Sequence, residues 1–298
     1  MRIPDLNNSD SLLSNLQRLS SRQSTLQGQV SSGQRITLPS DDPDATGRVL
    51  DLQAEKQRIQ QYAANADRGM EISQTTYSAI TSLKTVSDRA GEFGVLGVGS
   101  LDSTATTGYA TELNQLIEQS LQTLNSSYAG EHIFGGNKTD TAPFTATRDA
   151  SGQITGVTYA GSTTAAEFHV GENSKISPYN DPASNQKLGD FINNLVAMRD
   201  ALKSGSTAAV QAAQPGLQTS EDDILGTITN LATTQTRLQG DRAQSEARFS
   251  DLEKSTSSLT DADLSETVVK LTQTQTAYQA ALQVGAQVMR VSLLDYLK

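Results

Sequence analysis

Apolar residues recur at alternating spacings of three and four residues at both ends of the chain. This spacing predicts a helix that packs along one edge against another helix. The C-terminal pattern runs over Leu264–Tyr296 and contains no proline. The N-terminal pattern runs over Leu12–Val30, with Asp10 or Ser11 as a possible cap and Gly33 marking its end. We predict that the two terminal helices pair, although an ordinary amphipathic surface helix would give the same N-terminal pattern.

The apolar residues of these two edges form a predicted assembly interface. At about 1.5 Å per residue, a helix of about 35 residues is a rod of roughly 50 Å, too long to wrap into a small globule. Its apolar edge therefore needs partner helices in the same chain, in other chains, or in both. The predicted interface residues are Leu12, Leu16, Leu19, Leu26, Val30, Leu264, Val268, Leu271, Tyr278, Leu282, Met289, Leu293, Leu294 and Tyr296.

Helical periodicity also predicts long helices between the two ends. One runs from about Asp44 to Ala90, and the glycine-rich segment 91–108 after it is predicted to be a flexible turn. Another is predicted over Tyr109–Tyr128, and helices return after Pro182 and continue to about residue 252. All seven prolines are expected outside the long helices, and this expectation supports the predicted boundaries.

A connector follows the first helix. Helix-breaking residues predict an extended segment here, and Asp41 or Asp42 can cap the next helix with Pro43 in its first turn. The acidic pair could suggest a metal site, but capping explains it better. The predicted connector residues are Gly33, Arg35, Asp41, Asp42 and Pro43.

The sequence pattern changes from helical to strand-like in the middle of the chain. ITGVTYA (154–160) and AEFHVG (166–171) alternate apolar and polar residues, which is typical of short strands. The predicted junction into this segment is Phe134, Gly135, Gly136, Pro143 and Phe144. We predict a mainly α fold: a long antiparallel helical bundle or coiled coil built from both chain ends, with a small β-rich inserted outer domain. The predicted domains are 1–38 with 264–298 (terminal helices), 39–136 with 181–263 (long-helix bundle), and 137–180 (outer domain).

Composition excludes several classes of function. The 298-residue chain has a formal net charge of -10 and a pI of about 4.7, so it has no electrostatic footprint for nucleic acid or anionic lipid. It has no cysteine, which removes disulfides, thiol catalysis and Cys-ligated zinc. No apolar run approaches the length of a membrane span, and the start MRIPDLNNSDSLL lacks the apolar region of a cleaved secretory signal.

The sequence also offers few residues that could catalyse a reaction or bind a metal ion. The chain carries no G-x-S-x-G, H-E-x-x-H or Walker motif. The presence of only two histidines, His132 and His169, argues against a metal site, and Asp261 and Asp263 are better explained as helix-start residues than as a calcium loop. We predict no enzymatic activity, no cofactor and no metal.

Several motifs resemble the flagellin superfamily. SSGQRI (31–36) followed by DDP (41–43) resembles the segment between its innermost helical domain and the next. DADLSETVVKLTQTQTAYQAALQ (261–283) is similar to its closing helix, and SLLDYL (292–297) resembles the last turn of that helix. EHIFGGNKTDTAPF (131–144) and the start MRI are more similar to the superfamily members that join hook and filament than to the flagellins themselves.

The resemblance implies a structural role in the bacterial flagellum, outside the cell. It implies a ring of copies of this chain acting as an adaptor between a hook-side junction protein and flagellin. It also implies export through the flagellar type III system, with a chaperone on the C-terminal region. Two alternatives stay open: a filament-forming flagellin with a reduced outer domain, and a secreted coiled-coil adhesin or effector.

Overall fold

The structure, a computed structural model, describes residues 5–99 and 102–296, with side chains described for 10–99 and 102–287. It confirms a mainly α fold with small antiparallel strand pairs. The described helices are α1 (Asp5–Ser32), α2 (Pro43–Gly99), α3 (Ser103–Leu124), α4 (Pro182–Ser204), α5 (Thr207–Thr260) and α6 (Leu264–Tyr296). The strands are β1 (Ser127–Tyr128), β2 (Glu131–His132), β3 (Phe144–Arg148), β4 (Ile154–Tyr159), β5 (Phe168–His169) and β6 (Lys175–Ile176).

The chain divides into two compact units, residues 1–58 with 249–298 and residues 59–248. In the first unit α1 and α6 run antiparallel, because Leu12 contacts Gly285 while Leu26 lines a groove with Thr267. In the same unit the Lys56 ammonium lies 3.5 Å from the Glu253 carboxylate and over the ring of Phe249. The three-part domain division stays a prediction.

The second unit holds the main hydrophobic core. Segments of α2, α3, α4 and α5 supply it, and α3 and α4 begin with well-formed caps. The Asp102 carboxylate accepts from the Thr104 N–H at the start of α3, and Asp181 does the same for Ala183 and Ser184 ahead of α4. The helix α4 ends at Gly205, which adopts a left-handed φ of 67°. The core includes Ile80, Leu83, Leu113, Ile117, Phe191, Ile192, Leu195, Leu202, Ile224 and Leu231.

Three two-stranded antiparallel sheets, β1–β2, β3–β4 and β5–β6, lie in this second unit. The β3–β4 hairpin pairs Phe144 with Tyr159 and shifts register between Thr147 and Arg148. Asn193 of α4 mimics a further strand at Val157, because its Oδ1 accepts from the Val157 N–H at 2.8 Å and its Nδ2 donates to the Val157 carbonyl at 3.0 Å. This side chain ties the hairpin to the helical core.

The helix α2 ends at Gly99, so the prediction that 91–108 forms a flexible turn was wrong. Two glycines of this segment, Gly94 and Gly97, serve helix packing instead. Gly94 and Gly97 are buried, and a Cβ on Gly97 would overlap Cδ2 of Leu202. Glycine lowers helix propensity by about 1 kcal/mol, but here its missing side chain admits a neighbouring helix.

The expectation that all seven prolines lie outside the long helices was also wrong, because Pro215 lies inside α5. A proline inside a helix removes one backbone hydrogen bond. Packing on both sides offsets this loss: Val210 and Leu217 are buried, and Nδ2 of Asn194 donates to the Gly216 carbonyl at 3.0 Å. Tertiary contacts therefore outweigh the local preference.

Candidate assembly interface

The inward edge of α1 matches the sequence pattern. Leu26 is buried, and the other predicted α1 residues are partly buried: Leu12, Leu16, Leu19 and Val30. These five positions, spaced at three, four and seven residues, form one face of the helix. Leu13, which was not predicted, is 50% exposed beside them.

The inward edge of α6 differs from the sequence pattern in a regular way. Leu271 and Tyr278 are partly buried and Gly285 is buried, at intervals of seven residues. A second set at the same interval completes the packed edge, and it consists of Thr267, Thr274 and Ala281. The sequence pattern instead favours the set on the other side, which contains Val268 and Leu282. Small residues were missed because their low hydrophobicity gives no signal, although their heptad spacing was available.

The close approach of α1 and α6 explains why small residues of α6, and not Val268 and Leu282, face α1. A Cβ on Gly285 would lie 2.8 Å from Cδ2 of Leu12, so only glycine fits there without rearrangement. The threonine hydroxyls are satisfied within α6, since Thr267 donates to the Asp263 carbonyl at 2.6 Å and Thr274 to the Lys270 carbonyl at 2.7 Å. Threonine can therefore be buried here without an unpaired polar atom.

The choice leaves an apolar row uncovered. Leu264, Val268 and Leu282 are 49%, 46% and 46% exposed. Leu264 and Leu282 are eighteen residues apart, which is about five helical turns, so both lie on one line along α6 with Val268 beside it. We call these three residues the outer apolar row. No charged residue occurs between Lys270 and Arg290.

Four predicted interface residues lie outside the described side chains. Met289, Leu293, Leu294 and Tyr296 fall in the sequence range 288–298, for which no side chain is described. Their place in an interface stays a prediction.

The connector carries more contacts than its sequence suggested. Gly33 adopts a left-handed φ of 70° at the end of α1. Gln34 forms an antiparallel bridge with Asp261, flanked by two backbone hydrogen bonds: Arg35 N–H to Thr260 at 2.6 Å, and Ala262 N–H to Gly33 at 2.9 Å. The Arg35 guanidinium also donates to the Leu259 carbonyl at 2.8 Å. The segment between α1 and α2 thus pairs with the segment between α5 and α6.

Two carboxylates hold the rest of the connector. Asp41 accepts from the N–H groups of Leu38 and Thr37 and from the Thr37 hydroxyl, and these bonds lower the pKa of Asp41 below its ordinary 3.8. Asp42 accepts from the Ala45 N–H, which is the main cause of its lowered pKa, and it also pairs with Arg35 at 3.1 Å. The capping role predicted for Asp42 is confirmed, and Pro43 begins α2.

The predicted outer-domain junction is a tightly bonded turn in the second unit. Phe134 is fully buried, and its carbonyl accepts from Asn185 Nδ2 at 2.9 Å. Gly136 has a left-handed φ of 66°, and a Cβ there would lie 2.8 Å from the Thr164 carbonyl oxygen. A Cβ on Gly135 would overlap the Lys138 carbonyl. The two glycines are therefore required by the turn.

The far side of this junction depends on residues that sequence reasoning missed. Pro143 accepts from the Ala160 N–H at 2.7 Å, and Phe144 is buried at the start of β3. Asn125 clamps Phe144, since its Oδ1 accepts from the Phe144 N–H and its Nδ2 donates to the Phe144 carbonyl, both at 2.9 Å. No sequence motif marks such long-range amide clamps.

Among the described side chains, no three His, Cys, Asp or Glu residues converge to hold a metal ion. A groove of about 390 Å³ between α1 and α6 is lined by charges of both signs, including Arg22, Asp263, Glu266 and Lys270. Within the described residues, no helix combines the length and apolarity needed to cross a membrane.

Comparison with known proteins places these helices in context. Residues 3–139 match the family described as the bacterial flagellin N-terminal helical region. The chain is 25% identical over 293 residues to flagellar hook-associated protein 3 of Escherichia coli, covering 91% of both chains. It is 26% identical over 286 residues to the protein of the same name in Salmonella typhimurium, covering 90% of both.

Solved structures share the fold. A flagellar hook-associated protein from Vibrio parahaemolyticus superposes with a TM-score of 0.65 at 21% identity, covering 74% of this chain and 100% of its own. FlgL from Bacillus cereus gives a TM-score of 0.60 at 16% identity, covering 70% of this chain and 99% of its own.

The relatives also bear on the predicted lack of enzymatic activity. They are structural flagellar proteins and not enzymes, which confirms that prediction. Residues 3–139 of the chain therefore match the N-terminal helical region of the bacterial flagellins, and the chain resembles flagellar hook-associated protein 3 over about nine-tenths of its length, a similarity that supports a structural role in the bacterial flagellum.

Proposed function

We propose that this protein forms the junction between a hook-side junction protein and the flagellin filament, as a ring of identical subunits. The observation that carries the proposal is the outer apolar row on α6, which α1 leaves uncovered in a chain so similar to flagellar hook-associated protein 3. The row supplies a face for neighbouring helices, and the predicted interface residues on α1 supply the pairing that presents it.

The energetics favour many weak contacts. Burying a whole leucine or valine side chain stabilises by about 1.5–3 kcal/mol. Leu264, Val268 and Leu282 are each about half exposed, so covering them contributes roughly 1 kcal/mol per residue. About 3 kcal/mol per subunit is too little for a stable isolated pair, but the same contact repeated between subunits favours an ordered ring. The partners we propose are copies of this chain, the hook-side junction protein and flagellin.

Export and chaperoning belong to the same proposal. An exposed apolar row would promote association before assembly, so we propose that a chaperone covers the C-terminal region and that the flagellar type III system delivers the chain outside the cell. The similarity to flagellar hook-associated protein 3 supports this route.

The test removes apolar surface and keeps the helix. Val268→Thr is isosteric, and Leu282→Gln keeps a straight-chain residue of similar helix propensity. We expect the double variant, expressed in cells that lack the native chain, to give hooks without filaments in electron micrographs, with flagellin released into the medium. Intact filaments would contradict the proposed role of the row.

Two controls sharpen the result. Leu282→Met, used in place of Leu282→Gln, keeps apolar area at this position and should give normal filaments. The double variant should reach the medium at the wild-type level and show the wild-type circular dichroism spectrum, because both side chains are half exposed in the subunit. Loss of the protein from the medium would point to export and not to docking.

A second candidate is a filament-forming flagellin with a reduced outer domain. The match of residues 3–139 to the flagellin N-terminal helical region favours it. Purified protein that polymerises by itself into long filaments would establish this candidate over the junction role.

A further inference from the structure

The two connectors in the first unit pair with each other. Residues 33–35 follow α1, and they pair with residues 259–262, which comprise the end of α5 and the start of the segment that leads into α6. We call this pairing the connector clasp. It consists of the bridge between Gln34 and Asp261, its two flanking backbone hydrogen bonds, and the Arg35 side chain.

Arg35 joins three elements through this clasp. Its N–H and guanidinium donate to the Thr260 and Leu259 carbonyls at the end of α5, at 2.6 and 2.8 Å. Its guanidinium also pairs with Asp42 at 3.1 Å, just ahead of α2. Its own carbonyl accepts from Gln29 Nε2 of α1 at 2.9 Å. One residue therefore contacts the exit of α1, the entry to α2 and the end of α5.

The bonds lie at the positions where the terminal helices attach. Gly33, which ends α1, accepts from the Ala262 N–H two residues before α6 begins. If either connector were released, the point of attachment of both terminal helices would be freed. Independent flexible spacers would need no such cross-connection.

We propose that the connector clasp couples α1 and α6, so that the two terminal helices are ordered or released together. The clasp is a conformational device within one chain, and it does not depend on the proposed role at a flagellar junction.

The bridge geometry allows a direct test. In this antiparallel pair the hydrogen bonds flank Gln34 and Asp261 and do not join them, which is the narrow arrangement with Cα atoms about 4.5 Å apart. That spacing suits a disulfide, and the chain has no cysteine of its own. We expect Gln34→Cys with Asp261→Cys to form an intramolecular disulfide in air. The matched control, Gln34→Cys with Ser255→Cys, should stay reduced, because Ser255 lies about 7.5 Å back along the axis of α5 from its last residue, Thr260.

The decisive measurement is hydrogen exchange by mass spectrometry on the purified full chain, oxidised and reduced. Oxidation should slow amide exchange in both the last turns of α1 and the first turns of α6. In the uncrosslinked chain, Arg35→Ala should speed exchange in both helices by about fivefold, the effect of losing roughly one net hydrogen bond. Arg18→Ala, on the exposed face of α1 and outside the clasp, should leave α6 unchanged, because the Arg18 side chain pairs with Asn15 on its own helix.

The outcomes separate the two proposals. A disulfide that fails to form, or exchange that changes in only one terminal helix, would overturn the coupling and leave the junction role standing. Coupled exchange together with intact filaments in the Val268→Thr, Leu282→Gln variant would support the clasp and contradict the junction role.

Discussion

Replacement of Gly97 by alanine tests the packing at the end of α2 most directly. Gly97 is buried, and a Cβ at this position would overlap Cδ2 of Leu202, itself fully buried in the core. Gly91 lies on the same helix and is exposed, and a Cβ there would meet nothing within 4 Å. The two glycines therefore share one backbone conformation and differ in their surroundings.

The expected effects have opposite signs. In a helix, Gly→Ala stabilises by about 0.5–1 kcal/mol, since alanine loses less backbone entropy on folding. Gly91→Ala should show that gain in full. At Gly97 the same gain is opposed by an overpacking cost of about 1–3 kcal/mol, which leaves a net destabilisation of up to about 2 kcal/mol.

Urea unfolding followed by circular dichroism at 222 nm measures the difference, which should be about 0.5 M or more between the two midpoints. Because the chain has two units, hydrogen exchange of peptides from α2 should confirm that the change lies in that helix. Equal stabilisation by both substitutions would refute helix packing at Gly97 and favour the flexible turn that the sequence suggested.

Two further predictions concern other contacts. Because hydrogen bonds lower the folded-state pKa of Asp41 and Asp42, their contribution to connector stability should be complete above the ordinary pKa of 3.8 and be lost as pH falls below it through the lowered values. Carboxyl carbon NMR shifts should therefore titrate with midpoints below 3.8, and midpoints at or above 3.8 would contradict the bonding. Asn193→Leu should destabilise the second unit by about 2–4 kcal/mol, because it leaves the N–H and C=O of Val157 unpaired. Calorimetry compares this variant with Asn230→Leu, an exposed control on α5. Equal melting temperatures would refute the stabilising role of the bonds between Asn193 and Val157.

The sequence alone was sufficient for the terminal helices and for their pairing. Heptad-like spacing survives in any helix of this length, so Leu26, Leu271 and Tyr278 could be placed on inward edges before the structure. The connector was recognisable because left-handed glycine and N-terminal capping depend on residues only a few positions apart. Features that depend on neighbouring residues in this way can be predicted from a short stretch of sequence.

Tertiary structure decided which side of α6 faces α1. Two sets of residues flank the inward positions of α6. Hydrophobicity alone would place Val268 and Leu282 against α1, but the close approach of the helices at Gly285 places the smaller Thr267 and Thr274 there instead. Close approach depends on the shape of the partner helix, which one segment of sequence does not contain.

The same reason explains the remaining differences. From the sequence, Gly97 suggests a turn and Pro215 suggests the end of a helix. In the structure, Leu202 occupies the space beside Gly97, and Pro215 lies inside α5. The pairing of Gln34 with Asp261 joins positions more than two hundred residues apart. The sequence by itself determined that both chain ends form long helices and which of their residues recur at helical spacing. Only the tertiary structure decided how closely the helices approach, because the fit between distant surfaces sets that distance.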